Sequence, residues 1–168
     1  MEFEKVIRER KATRKFSSKE VEKEKLNKIL EAGRLAPTAK NNQPFKIFVI
    51  NSVDGIKKVD KCSPCRYGAP IVLLVCGDIK KSYVKDGTPM YQVDCSIVTT
   101  HMMLEATNVG VDNIWIEMFD KEKIKKEFEI SDDLDPVCLL PIGYKSKICP
   151  PSPFHKIRKK INDLVEYK

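Results

Sequence analysis

The strongest constraint on the fold is the run Ile71-Val72-Leu73-Leu74-Val75-Cys76, which has no polar position. A strand with one face in water alternates apolar and polar residues. An uninterrupted apolar run of this length therefore predicts a strand buried on both faces, at the centre of a sheet rather than at its edge. The chain has 168 residues, 42% of them hydrophobic, which is enough for one compact domain with a real core and too little for two.

The other elements follow from periodicity and punctuation. Phe3, Val6 and Ile7 share a helical face, predicting a short helix over residues 2–10 that leads into a cationic cluster, Arg8, Arg10, Lys11, Arg14 and Lys15. Arg10 and Arg14, four apart, point the same way if that helix continues, although basic residues at a helix end also serve its dipole. Ser17 and Glu20 have capping-box spacing, so a second helix is expected to begin within residues 17–22. Leu26, Ile29, Leu30 and Gly33 continue its face, and Pro37 stops it. Phe45 to Ile50 reads as a strand, residues 51–67 as a short helix plus loop, and residues 79–89 as a polar loop with an Asp86-Gly87 turn. Tyr91 to Val109 is apolar on more than one side and closes on Gly110, so it is expected to be the core helix. Asn113 to Met118 reads as a third strand, Asp120 caps a basic helix to Phe128, and Val137 to Tyr144 is a fourth strand. This order leaves the topology open: α+β if neighbouring strands pair antiparallel, doubly wound if the helices cross over. No Gly-x-Gly-x-x-Gly follows a strand, which argues against a dinucleotide-binding Rossmann fold.

A net charge of +7 favours an anionic partner, whether nucleic acid, an acidic membrane surface or a phosphorylated cofactor. No apolar run approaches the roughly 20 residues of a membrane span, and Met1 to Lys5 lacks the apolar stretch of a signal peptide, so a cytoplasmic protein is expected. Cys76, Cys95 and Cys138 sit in apolar segments and read as reduced thiols. Cys62-Ser63-Pro64-Cys65 has the spacing of half a zinc site or a redox pair, yet no second pair accompanies it; a loop with two surface thiols and no metal is expected. His101 and His155 stand apart with no nucleophile motif, and His101 reads as a core or boundary residue of its helix. Between Pro37 and Pro44, Thr38, Asn41, Asn42 and Gln43 suit an ordinary turn but carry more hydrogen-bonding capacity than a connection needs. Cations and amides without a nucleophile or metal site point to chemistry supplied by a bound cofactor.

Five segments then coincide with a family pattern: Arg10-Lys11-Ala12-Thr13-Arg14-Lys15-Phe16, residues 36–45, Trp115-Ile116-Glu117-Met118-Phe119-Asp120, Pro141-Ile142-Gly143-Tyr144 and Lys156-Ile157-Arg158. In identity, order and spacing they strongly resemble the FMN-dependent nitroreductase family, across nearly the whole chain. Each block alone is weak; the five in order are specific.

The resemblance implies an α+β nitroreductase-like sandwich, a central, mostly antiparallel sheet flanked by helices. It also implies a homodimer with FMN at the interface, a core of residues 1–144 and a C-terminal arm of residues 145–168 exchanged with the partner. By the same resemblance Arg10, Lys11, Arg14, Lys156 and Arg158, with Ala12 in the first block, surround the flavin phosphate, a dianion best matched by several charge-assisted donors. Pro37, Thr38, Ala39, Asn41 and Gln43 lie over the flavin of the other subunit. Trp115, Ile116, Glu117 and Met118 pass the opposite ring face, with an N–H of Glu117 or Met118 directed at flavin N5. The implied reaction takes a hydride from NADH or NADPH to N5 and then to a nitroaromatic, quinone or similar small acceptor, in ping-pong order, with no nucleic acid and no membrane involved. The chain departs from the pattern in three ways. Ala12 replaces a usual hydroxyl residue, Met118 stands where many members have Gly, and the helical insertion of longer members is missing. Two alternatives remain: a specialised flavin enzyme such as a reductive dehalogenase, and a non-catalytic module holding nucleic acid through its basic clusters. The independent reading of Pro150-Pro151-Ser152-Pro153 as an extended arm reaching a partner agrees with the implied exchange.

Overall fold

Successive side chains of a strand point to opposite faces, so a wholly apolar strand needs a layer on each side. The structure is a computed structural model that describes residues 1–149 and 152–168. In chain order it contains α1 (Phe3–Glu9), α2 (Lys23–Arg34), β1 (Phe45–Ile50), α3 (Val53–Cys62), β2 (Ile71–Asp78), β3 (Val84–Lys85), β4 (Thr88–Pro89), α4 (Tyr91–Asn108), β5 (Asp112–Asn113), α5 (Lys121–Glu127) and β6 (Leu134–Gly143). The main sheet has the order β1-β2-β6-β5 with every pair antiparallel, which selects the α+β reading over the doubly wound one. The apolar run lies in β2, between two other strands.

On one face, Leu73 and Val75 of β2 and Leu140 and Ile142 of β6 pack against Ile29 of α2 and Val98 and Met102 of α4. On the other, Val72, Leu74 and Leu139 pack against Val59 of α3 and Ile124 of α5. All of these side chains are fully buried or nearly so, each stabilising the fold by about 1.5–3 kcal/mol relative to exposure. Gly33 brings α2 and α4 together: a Cβ there would stand 2.9 Å from Met102 Cγ, so the absent side chain sets the helix spacing. The central helix is α4, as expected, with seven buried residues distributed along it.

Four local expectations are corrected. First, α2 begins at Lys23 and its N-cap, Glu22, makes no side-chain cap; Ser17 Oγ instead donates to the Tyr144 carbonyl, so the capping-box spacing at Ser17 and Glu20 does not start the helix. Second, the strand expected over residues 113–118 is regular only at Asp112–Asn113. It continues as Ile114 N–H donating to Pro141 O and an isolated bridge between Ile116 and Leu139. The register is unbroken, but Pro141 has no N–H to return the bond to Ile114, and the ladder lapses there. Third, the polar segment 79–89 contains the small β3–β4 hairpin, turning at Asp86-Gly87. Fourth, Cys62 is the last residue of α3 and is buried, so only Cys65 is partly accessible.

Residues 145–168 contrast with all this. The described residues among them form two single turns of 3₁₀ helix, Pro153–Lys156 and Ile161–Asp163, and leave Ile148, Phe154, Ile157, Ile161 and Leu164 exposed. Of the expected extended proline segment, Pro150 and Pro151 lie outside the described residues. Among the described residues no helix is long and apolar enough to cross a membrane.

Candidate functional site

The basic cluster after α1 is divided by the backbone. The helix ends at Glu9, and Arg10 takes an extended conformation with φ −56° and ψ 123°. Residues 12–16 then run as an added strip at the sheet edge, Ala12 bridging Asn113 and Phe16 bridging Lys145, with Thr13 N–H donating to Asn113 O at 3.0 Å. Arg10 and Arg14 therefore do not share a helical face, and each joins a different group.

Arg10 is half-buried; burial first, and then the positive charge of Arg158 in the arm, lower its pKa. Lys11, Ala12 and Lys156 line a cavity of about 1030 Å³ between α1, the end of α4, β5 and the arm, together with Thr13, Asp112 and His155. Asp112 fixes its wall, accepting from Thr13 Oγ1 at 3.3 Å and from Lys145 N–H at 2.9 Å.

Arg14 and the Cys65 thiol both lie near the Tyr67 hydroxyl and act on it electrostatically. Cys65 first, then burial, raise the Tyr67 pKa, while Arg14 acts in the opposite direction. Cys65 Sγ in turn lies 3.8 Å from Met118 Sδ, and Ser63 Oγ donates to Met118 O at 2.7 Å. The short loop after α3 thus carries Met118 and holds it exposed. Along residues 114–118 the side chains alternate. Ile114 and Ile116 enter the α3/α5 layer, while Trp115 packs on the α2/α4 layer and its Nε1 donates to Glu117 Oε1 at 3.1 Å. Among the described residues, the N–H groups of Glu117 and Met118 have no hydrogen-bond acceptor.

The Pro37–Pro44 turn is a separate structure on the α2/α4 side, where Ala36 is part of the core. Pro37, Asn41 and Gln43 are exposed, and Thr38 and Ala39 are half-buried. Gln43 N–H donates to Thr38 Oγ1 at 3.0 Å, and Ala39 N–H donates to Asp94 Oδ1 at 2.9 Å. Among the described residues, no hydrogen bond or ion pair joins this turn to Arg10, Arg14, Lys156 or Arg158.

The first basic block therefore runs along the β5 edge of the sheet, with the end of the arm beside its first residues and the loop that contacts Met118 beside Arg14, and the proline-bracketed turn is not among them. Sequence reasoning missed Tyr67 and Asp94, and read Cys65 as a surface thiol without placing it near Met118. Asp94 had a readable signal, an acid in the first turn of α4 flanked by the apolar Val93, Cys95, Ile97 and Val98.

A family model described as the nitroreductase family matches residues 7–64 and 58–144. The chain belongs to the nitroreductase family. A crystal structure of a nitroreductase family protein from Clostridium difficile 630 shares 40% identity and superposes with a TM-score of 0.93, covering 100% of this chain and 99% of the other. One from Clostridium novyi NT shares 30% identity at a TM-score of 0.81, covering 88% and 87%. A proposed NADH dehydrogenase/NAD(P)H nitroreductase of Methanothermobacter thermautotrophicus is 27% identical over 156 residues, 88% of this chain and 79% of that protein. A proposed nitroreductase from Exiguobacterium sibiricum 255-15, solved in complex with FMN, is 24% identical with a TM-score of 0.84 over 100% of this chain and 98% of that one, and attests the shared fold. The α+β sandwich with its antiparallel sheet is thus the nitroreductase fold. The thiols of this nitroreductase-family chain fit its core: Cys76 and Cys138 are pushed up to about 12 and Cys95 higher still, each chiefly by burial, which leaves them as inert hydrophobes.

Proposed function

We propose that this chain is an FMN-dependent oxidoreductase that passes reducing equivalents from NADH or NADPH to a nitroaromatic, quinone or similar small acceptor. The observation that carries the reading is the cavity that Lys11 and Ala12 of the first basic block share with Lys156 of the arm, with Arg10 and Arg158 adding positive charge nearby. Arg10, half-buried, and Arg158, from opposite ends of the chain, lie near enough for one charge to disfavour the other, and a bound anion would offset that. A phosphate monoester suits it because Arg binds such an oxyanion bidentately. The donor set also fits the rest of a flavin mononucleotide: Lys11 and Lys156 flank the phosphate end, and the open N–H groups of Glu117 and Met118 are available to a ring nitrogen at the other. Bound there, the flavin supplies hydride transfer through N5.

The protein's residues then have distinct tasks. Arg10, Arg158 and Lys156 hold the phosphate, and Ala12 offers backbone where a hydroxyl is usual in the family. Arg14, set on the Tyr67 side, brings positive charge to the ring end, and charge already in place favours a more negative, reduced ring without reorganisation. Ser63 holds the Met118 carbonyl and so anchors the backbone just after the open N–H groups, while the exposed Met118 side chain narrows the space open to an acceptor.

We propose further that the working unit is a homodimer built from one FMN-binding unit per chain, core 1–144 and arm 145–168. The exposed apolar residues of the arm support this, as does the small apolar groove on α4 formed by Val93, Ile97 and the ring of His101. The separation of the Pro37–Pro44 turn from the cationic groups of its own chain fits a turn that serves the partner's flavin.

The deciding experiment is spectroscopic. Protein purified with added FMN should be yellow, retain FMN in stoichiometric amount and bleach anaerobically with NADH or NADPH, recovering on addition of a quinone. A colourless protein that ignores excess FMN and is retarded with nucleic acid in a salt-sensitive manner would overturn the reading.

A further inference from the structure

Asp94 is 2% exposed, set in the first turn of α4 beside the fully buried Cys95 and Val98. A buried carboxylate is costly to place unless it is well paired. Its Oδ1 accepts from Ala39 N–H at 2.9 Å, while Oδ2 is buried and has no partner among the described residues. The group it holds is unusual. Of the six non-glycine residues with positive φ among the described residues, Lys40 (52°), Asn41 (54°) and Gln43 (49°) fall within four positions of this turn. Asn tolerates that region through its short polar side chain; Lys and Gln do not, and such a backbone persists only where its surroundings over-determine it.

We infer that Asp94 is a positioning residue for the flavin-facing turn: its carboxylate latches Ala39 and thereby fixes the left-handed backbone that presents Thr38, Asn41 and Gln43. The inference rests on the FMN reading for what the turn faces, and on this structure for the latch. The ties on the far side are polar and peripheral, Asn42 Nδ2 donating to Lys81 O at 3.1 Å and Lys40 Nζ standing 4.8 Å from the Tyr83 ring centroid. At its end the turn is tied to the sheet by Asp78 N–H donating to Pro44 O at 2.8 Å, and among the side-chain hydrogen bonds described for the turn the Asp94 contact is the one made by a buried residue. From Ala39 the geometry passes inward to Thr38, whose Oγ1 receives the Gln43 N–H and whose carbonyl receives Asn41 N–H at 2.9 Å. Releasing Ala39 therefore loosens all three presented side chains together.

The test uses Asp94→Ala and Asp94→Asn in the full-length protein. Alanine is a strong helix former, so D94A removes the latch while α4 keeps its propensity. Asparagine keeps an acceptor oxygen for Ala39 N–H and loses only the charge. Two readouts are taken: FMN affinity by flavin fluorescence, and hydrogen exchange of the Ala39 amide. In D94A the FMN Kd should rise at least about tenfold, the loss of one buried hydrogen bond and the order it imposes, and Ala39 exchange should accelerate by a similar factor. D94N should stay within about threefold of wild type on both, because the bond survives. Unchanged Ala39 exchange in D94A would overturn the latch. Equal weakening in D94A and D94N would overturn it too, assigning the effect to charge at the helix terminus. A wild-type protein that takes up no FMN would instead sink the cofactor reading, and the exchange comparison would still decide the latch.

Discussion

The core and the arm of this chain obey opposite rules. Within the core the central strand is apolar at every position and both its faces are covered, so Leu73, Leu74, Leu139 and Leu140 are sealed from water by helices of the same chain. Along the arm Phe154, Ile157, Ile161 and Leu164 recur at comparable density and all are exposed, although burial of such side chains is the main driving force of folding. The difference teaches that apolar content alone does not place a residue inside; a covering layer must be present in the same chain. The core completes itself. The arm, on our reading, is completed by a second copy, and it carries Lys156 and Arg158 to the flavin phosphate as it goes.

The most severe way to break the comparison is to remove the arm. A chain ending at Ser146 should keep its far-ultraviolet circular dichroism, because both covering layers remain, and should lose dimerisation in sedimentation and most of its FMN affinity. Two charge-assisted hydrogen bonds, at about 1.5–3 kcal/mol each, correspond to at least about 100-fold. A truncated chain that remains a yellow dimer would show the arm to be ornamental.

A paired substitution sharpens the contrast. Leu140→Ala should cost about 2–5 kcal/mol in denaturant unfolding at every protein concentration, since it opens a cavity inside one chain. Leu164→Ala should cost almost nothing at nanomolar protein and become visible only where subunits associate, because its partner surface comes by mass action. Concentration-independent losses at both sites would mean that the arm packs on its own core.

A smaller and more diagnostic effect lies where the two regions touch. Without an anion, Arg10 of the core and Arg158 of the arm repel each other. Arg10→Ala should therefore raise the melting temperature of the flavin-free protein slightly while weakening FMN about 10- to 100-fold, the worth of a charge-assisted contact. Losses of the same sign in both states would mean that Arg10 is a structural cation and no phosphate ligand.

The core was legible in the sequence because periodicity reports burial directly: the run at residues 71–76, the face of Leu26, Ile29, Leu30 and Gly33, and the helix starting at Tyr91, apolar on more than one side, each found their layer. What failed was local. Ser17 and Glu20 had the right spacing for a helix cap, but the Tyr144 carbonyl, 127 residues away in sequence, offered Ser17 a better use. The third strand lapsed because a proline on the neighbouring strand lacked one N–H, and pairing between strands is invisible in either strand alone. The candidate site was legible as a set of motifs and not as a geometry. That Arg14 would part from Arg10, and that Tyr67 and Cys65 would line its path, depends on a helix ending at Glu9 and on a loop fifty residues further along the chain.

The finest distinction concerns Tyr144, where core gives way to arm. Its hydroxyl donates to Glu22 Oε2 and accepts from Lys25 Nζ at 2.8 Å, and Lys19 Nζ lies 4.0 Å from its ring centroid. The Tyr144 hydrogen bond is the chief reason that the Glu22 carboxyl is lowered from 4.5 to about 2. A carboxylate whose folded value lies below its unfolded one contributes its stabilisation in full above about pH 4.5 and loses it as the pH falls toward 2. Because Glu22 is exposed, the effect is small and screened by salt. Glu22→Gln should therefore melt slightly below wild type at pH 6, and the gap should close between pH 4.5 and pH 2 as the wild-type carboxyl takes up its proton. Melting curves of the two proteins across that window, at low and high ionic strength, would decide it. A gap that stays constant with pH would mean that Tyr144 is held at the junction by packing and by its lysines, with the carboxylate a bystander.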